Sequence, residues 1–266
     1  MSEDAASGQQ LADISKRVWI RWGDGEPFEN TSTLVLTAPS QTFIDIRVLK
    51  LPLPRASDLN HVDSAIDISR LDWAFAGVAA TEYRDGICHK TWTHHVDSRY
   101  AYGDKPPLDE GDMFPEPDGV LCREKGRMVN PDTGRISHYE EMWESVEAQA
   151  TSTESCKYCL VASVGGPVAE AHRARGMLIR VGHFVQCLLI VGDEVNIERW
   201  EYASAEATDT HQPSGVRPAG WVRSVKLGPR FLPCSWFFRA AECREGETLE
   251  DETQLWTWTL AEKASW

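Results

Sequence analysis

Basic clusters are missing from this 266-residue chain, in which 27 Lys and Arg stand against 41 Asp and Glu for a formal net charge of −14. Nucleic acids are bound through basic patches that displace phosphate counterions, and an anionic membrane surface asks for the same, so neither partner is expected. No apolar run reaches membrane-spanning length; the longest, Phe184 to Val191, is strand-sized. The N-terminus, MSEDAASGQQ, has neither the basic start nor the apolar centre of a secretion signal. Cysteines number seven, an odd count that gives no disulfide framework and points to a reducing, cytoplasmic setting. Nucleotide loops, dinucleotide glycine signatures, serine-hydrolase elbows and HExxH motifs are all lacking. Cys156 and Cys159 form the one CxxC, without the second pair a tetrahedral zinc site needs. No metal and no cofactor is therefore expected.

Aromatics and strand patterns are what the chain does hold. Eleven Trp is a high count, and Trp serves both barrel cores and ligand pockets, because it joins a large apolar area to one N–H donor. The stretch from Leu71 to Ser98 reads as a long β-hairpin. Trp73, Phe75, Ala79, Thr81 and Tyr83 fall on alternating positions, and Asp85-Gly86 supplies a two-residue turn. On the returning strand His89 and His95 share a face but lie roughly 20 Å apart at about 3.3 Å per residue, too far for one ion. His94 and His95 point to opposite faces. One inward histidine at most is expected to act.

Elsewhere, strands are expected around Val18 to Trp22, at 32–38, 42–50 and 158–164, and at 221–226, 234–239 and 254–261. Further hairpins span Gly119 to Glu147 and 177–202, and Pro167 to Arg175 reads as the single short helix, capped by Gly176. Residues 101–118, with four prolines, read as a long loop over one barrel end. A polar segment at 149–155 marks a domain boundary. Many short strands and little helix give a mainly β fold of antiparallel barrels: a flexible tail at 1–13, one barrel domain at 14–150 and a second at 151–266.

Three stretches, LDWAFAG at 71–77, YEEMWESVE at 139–147 and MLIRVGHFVQCLLIVGDEVNIERW at 177–200, resemble the fungal Hri-type family, named for interaction with a yeast casein kinase. The resemblance implies two lipocalin-like β-barrel domains packed together. A protein kinase partner is known for the namesake, but no motif here carries it over. Two functions follow as expectations. In the first, the protein binds a small apolar ligand or a protein partner, with Trp73, Phe75, Tyr83, Trp92, Tyr139, Trp143, Trp200, Trp256 and Trp258 as the aromatic lining. In the second it is a cofactor-free isomerase or cyclase acting on a fungal polyketide or terpenoid, with His95, Glu140 and Arg180 as the polar groups.

Overall fold

The computed structural model describes residues 11–50, 67–204, 219–250 and 255–266. Eight antiparallel strands close into a barrel: β1 (Asp13–Trp22), β2 (Thr31–Thr37), β3 (Thr42–Leu49), β4 (Leu71–Arg84), β5 (Ile87–Asp97), β6 (Asp109–Pro115), β7 (Leu121–Val129) and β8 (Ile136–Ser145). Closure comes from β1 pairing with β8, with Ser15 opposite Ser145 and Trp22 opposite Tyr139. Seven further strands form a second antiparallel sheet: β9 (Tyr158–Gly165), β10 (Ala174–Val181), β11 (Phe184–Val191), β12 (Glu194–Ala203), β13 (Gly220–Leu227), β14 (Thr248–Glu250) and β15 (Thr257–Ser265). Its spatial order is β13-β12-β11-β10-β9-β15-β14. The architecture is thus mainly β, one closed barrel plus a second sheet. One short α-helix, α1 (Pro167–Ala171), is present among the described residues, and none of their helices is long and apolar enough to cross a membrane.

Strand alternation decides how the two sheets meet. In β3, TFIDIRVL, the residues Ile44, Ile46 and Val48 share one face, and Phe43, Asp45 and Arg47 share the other. The apolar face points away from the barrel lumen. It joins Leu34, Leu36, Ala74 and Ala76 in a continuous core with Val161, Ile179, Phe184, Leu188 and Ile197 of the second sheet. On the sheet's other face Leu178, Leu189, Trp258 and Leu260 cluster with Phe237.

Three local expectations are corrected. Residues 101–118 are not all loop, because β6 lies within them and supplies the sixth barrel strand. The helix stops at Ala171, because Arg173 takes a left-handed φ of 53° and Ala174 already pairs with Val191. Cys234–Arg239 is a 3-10 helix and not a strand. Pro233 opens it, and its three-residue turn puts Cys234 and Phe237 together on the core. The segment at 149–155 runs between β8 and β9 and is itself packed down: the Gln149 N–H donates to Nδ1 of His183, Thr151 is buried, and Glu154 pairs with Arg180. The expected tail lies mostly outside the described residues, and Asp13 already opens β1.

Polar groups lock the interface between the sheets. Gln186, fully buried on β11, donates Nε2 hydrogen bonds to the carbonyls of Leu34 (3.0 Å) and Ile44 (3.3 Å). Its own Oε1 accepts from Nε of Arg199 at 2.8 Å, and Arg199 Nη2 donates to the Ile46 carbonyl at 2.7 Å. Burial lowers the Arg199 pKa to about 10, with Asp45 and Glu201 opposing. Gln186→Leu therefore leaves the Arg199 Nε donor unmet in a dry interface, a loss of about 1–3 kcal/mol. Urea unfolding read by both Trp fluorescence and far-UV dichroism checks this. The shared core predicts one coincident transition, displaced downward in the variant, and two separated transitions would contradict the shared core.

Candidate functional site

Because β2, β3 and β4 turn apolar faces outward to the second sheet, the lumen receives the charged half of β3, and the other strands add a mixture of aromatic and polar side chains. β3 sends in Phe43, Asp45 and Arg47; β5 sends Lys90 and Trp92; β7 sends Cys122, Glu124 and Met128; and β8 sends Tyr139, Glu141, Trp143 and Ser145. An eight-stranded barrel is just wide enough for side chains or one small ligand. Here a cavity of about 230 Å³ remains. Aromatic rings of Phe43, Phe75, Trp92 and Trp143 wall it together with Met113 and Met128, and Asp13, Thr37 and Ser145 stand at the rim where β1, β2 and β8 meet.

The charges inside are held in a chain. Arg47 donates Nε and Nη2 to Oδ2 of Asp45 at 2.9 and 2.8 Å, and its Nη1 reaches Oε1 of Glu141 at 3.4 Å. The same Glu141 oxygen accepts from Arg17 Nη1 at 2.5 Å, and Arg17 continues to Glu29 at 2.7 Å. Burial works against the Arg47 charge, but Asp45 and Glu141 more than offset it, so its pKa lies above the ordinary value. Asp45 goes the other way, raised by burial despite Arg47.

Glu124 stands apart from that chain. Its Oε1 accepts from the Tyr139 hydroxyl at 2.6 Å and its Oε2 from Nε1 of Trp143 at 2.9 Å. Gly126 makes this possible, since a Cβ there would stand 2.4 Å from the Tyr139 hydroxyl oxygen. Burial, with Glu141 next, pushes the Glu124 carboxyl up to about 8, against the Tyr139 hydrogen bond. Burial likewise lifts the Tyr139 hydroxyl well above its ordinary range.

The histidine turned into the barrel wall is His94, and His95 is exposed. Ala76 pairs with Val96 but Gly77 pairs with His94, so His95 is the extra residue of a β-bulge. The bulge needs glycine on the facing strand, since a Cβ on Gly77 would lie 1.8 Å from the Thr93 carbonyl oxygen. His94 stacks on Phe75 at 4.2 Å between ring centroids, and its Nδ1 and Nε2 meet Asp97 (2.7 Å) and Asp109 (3.0 Å). Burial alone would lower its pKa, but the hydrogen bonds to Asp109 and Asp97 raise it to about 9.

Of the expected lining, Phe75, Trp92, Tyr139 and Trp143 do line the cavity. Trp73 sits behind Phe75 at 4.3 Å between ring centroids, its Nε1 donating to Asp97. Tyr83 is 75% exposed, because the β4–β5 hairpin runs past the barrel rim. Trp200, Trp256 and Trp258 belong to the second sheet's own core. The three polar candidates are not gathered. Glu140 faces outward between Tyr139 and Glu141, paired with Arg21 (2.7 Å) and Lys125 (3.2 Å). Arg180 is buried in the second sheet, tied to Glu154 and to the carbonyls of Phe237 and Gly182. The polar lumen residues Asp45, Arg47, Glu124 and Glu141 were not among the expected site residues. Their signal was present on β3, where Asp45 and Arg47 alternate with Ile44, Ile46 and Val48, and on β8, where Glu141 shares a face with Tyr139 and Trp143, but not on β7, where Glu124 stands between Arg123 and Lys125.

Both shifted groups make stability fall with rising pH. His94, raised above its unfolded value of about 6.5, contributes fully below that pH and loses the contribution as pH climbs through about 9. Glu124 holds its proton in the folded state up to about 8 but releases it near 4.3 when unfolded, so the folded chain binds more protons between those limits and stability declines across them. Urea midpoints are accordingly expected to decrease from pH 5.5 to 9, less steeply in His94→Gln. A flat profile, or the wild-type slope in His94→Gln, would count against these assignments.

Comparisons with known proteins agree with this layout. No curated protein matches the chain. A crystal structure described as the uncharacterized protein YLR301w from Saccharomyces cerevisiae superposes with a TM-score of 0.64 at 15% sequence identity, covering 96% of this chain and 99% of that one. At that identity the likeness shows the fold. The family model described as Protein HRI1 matches residues 13–262, from the first barrel strand into the last strand of the second sheet. By that match the chain belongs to the Protein HRI1 family.

Proposed function

We propose that this chain is a binding protein that holds one small molecule inside the barrel. The cavity itself carries the reading. Eight strands could have been filled with side chains, yet about 230 Å³ is left open between aromatic walls and a set of fixed polar groups. Rings and Met side chains suit an apolar body, and Asp45, Arg47, Glu124 and Glu141 suit a polar end. The mixture favours an amphipathic ligand over the purely apolar one expected from the aromatic content. An isomerase or cyclase has less support, since His95, Glu140 and Arg180 share no cavity.

Binding is tested with 2-naphthalenemethanol, a neutral aromatic alcohol, followed by Trp fluorescence, since Trp92 and Trp143 stand in the wall. Saturable quenching is expected in the wild type. Val35→Trp, which fills the cavity from β2, and Thr37→Trp, which blocks its rim, are expected to abolish it. Saturation unchanged in both folded variants would overturn the barrel as the site. Bound probe at ten times its dissociation constant is also expected to raise unfolding stability by about 1.4 kcal/mol, seen as a higher melting temperature in the wild type alone.

A further inference from the structure

We infer that the barrel ligand is an organic cation, an ammonium group carried on an apolar or aromatic body. This rests on the reading of the barrel as a small-molecule site and adds the chemical class of the molecule.

Charge is the first ground. Asp45, Asp109 and Glu141 line the cavity with Asp13 at its exposed rim, against Arg47 and Lys90, and Glu124 beside them holds its proton up to about pH 8. Arg47 is committed to Asp45 and Glu141. His94 and Arg17, which touch the lining from behind, bring their own carboxylates, Asp97 and Glu29. The lumen therefore keeps an excess of negative charge in a low-dielectric space, where an incoming cation is attracted more strongly than in water.

An unmet acceptor is the second ground. Asp45 is 2% exposed, and both of its bonds from Arg47 go to Oδ2. Oδ1 is buried with no hydrogen-bond partner. A buried carboxylate oxygen left bare is costly, and an ammonium N–H is the donor type that would satisfy it. Aromatic faces are the third ground, since Phe43, Phe75, Trp92 and Trp143 offer ring quadrupoles that attract cations.

Glu124 then gives the site a proton linkage. The groups facing it across the lumen are Asp13 on β1, Asp45 and Arg47 on β3, Lys90 on β5, Asp109 on β6, Cys122 on its own strand, and Tyr139 and Glu141 on β8. A cation placed among them favours the ionised carboxylate. Below about pH 8 the cation enters and a proton leaves, and the lumen's net charge is conserved. Lys90 is the opposing observation. It has no ion pair among the described residues and on its own would favour an anion.

Three probes with the same spacing from ring to head group decide the matter by calorimetry: 2-phenylethylammonium, 2-phenylethanol and phenylacetate. The ammonium, like that of lysine, stays charged to about pH 10. It is expected to bind at least about tenfold tighter than either of the others, to release protons on binding at pH 7, and to bind more tightly as pH rises from 6 to 8.5. Glu124→Gln is expected to weaken it and flatten that pH dependence. Lys90→Met, which leaves the Glu124 contacts intact, is expected to strengthen ammonium binding. Alcohol or carboxylate binding as tight as the ammonium, or weaker ammonium binding in Lys90→Met, would overturn the cation while leaving the barrel site standing. If none of the three saturates and Val35→Trp changes no titration, the barrel reading fails with it.

Discussion

The contact that lets the barrel hold a charged lumen is Arg47 between Asp45 and Glu141. Turning the apolar faces of β2, β3 and β4 outward gives the second sheet a surface to cover, but it leaves Asp45 and Arg47 of β3 in the lumen, facing Glu141 of β8. Unpaired, each would lose its hydration for nothing. Arg47 links two of the carboxylates, and Arg17 extends the chain to Glu29, so that Asp45, Arg47, Glu141 and Arg17 each lie at ion-pair distance from an opposite charge. The outer apolar face and the inner ionic chain are two consequences of one alternating sequence. A shift of one residue in β3 would put Ile46 in the lumen and Arg47 against Ile179 and Leu188.

The second sheet repeats the device at its own boundaries. Arg199 and Gln186 reach from β12 and β11 into the carbonyls of β2 and β3, satisfying groups that an apolar surface alone would leave dry. Arg180 does the equivalent inside the second sheet. It ties the segment after the barrel, through Glu154, to the 3-10 helix, through the Phe237 carbonyl, with its guanidinium 4.9 Å from the Trp221 ring centre. The segment at 149–155 is therefore a packed joint, and barrel and sheet share one core across it.

Much of this was legible in the chain. Period-two alternation placed most strands and put Tyr139, Trp143 and Ser145 on one face, where they are found. Asp85-Gly86 reads as a turn and is one, with φ of 51° and 82°. What alternation cannot say is which face is inside. Aromatic faces were expected to point into the barrels, and in β4 and β8 they do, but with charges beside them. In the second sheet Trp200, Trp256 and Trp258 pack against a 3-10 helix that looked like a strand. The bulge at His95 was invisible for a different reason. It exists because of a close approach between Gly77 on β4 and Thr93 on the neighbouring β5, and it exchanges which histidine is buried.

The polar lumen is more than the fold requires. A barrel closes through its backbone ladders, and replacing buried ion pairs with apolar side chains of similar volume is often neutral or stabilising. Leu or Phe at Asp45, Arg47, Glu124 and Glu141 would fill the cavity and remove every desolvation cost described above. Instead the chain holds Glu124 where burial and like-charged neighbours oppose its ionisation, and it makes room for Tyr139 beside it with a glycine. Stability gains nothing from a carboxyl strained in this way or from the open volume next to it. A molecule that enters the volume and relieves the carboxyl would gain from both, so the features that cost the fold most are the ones that argue for a ligand.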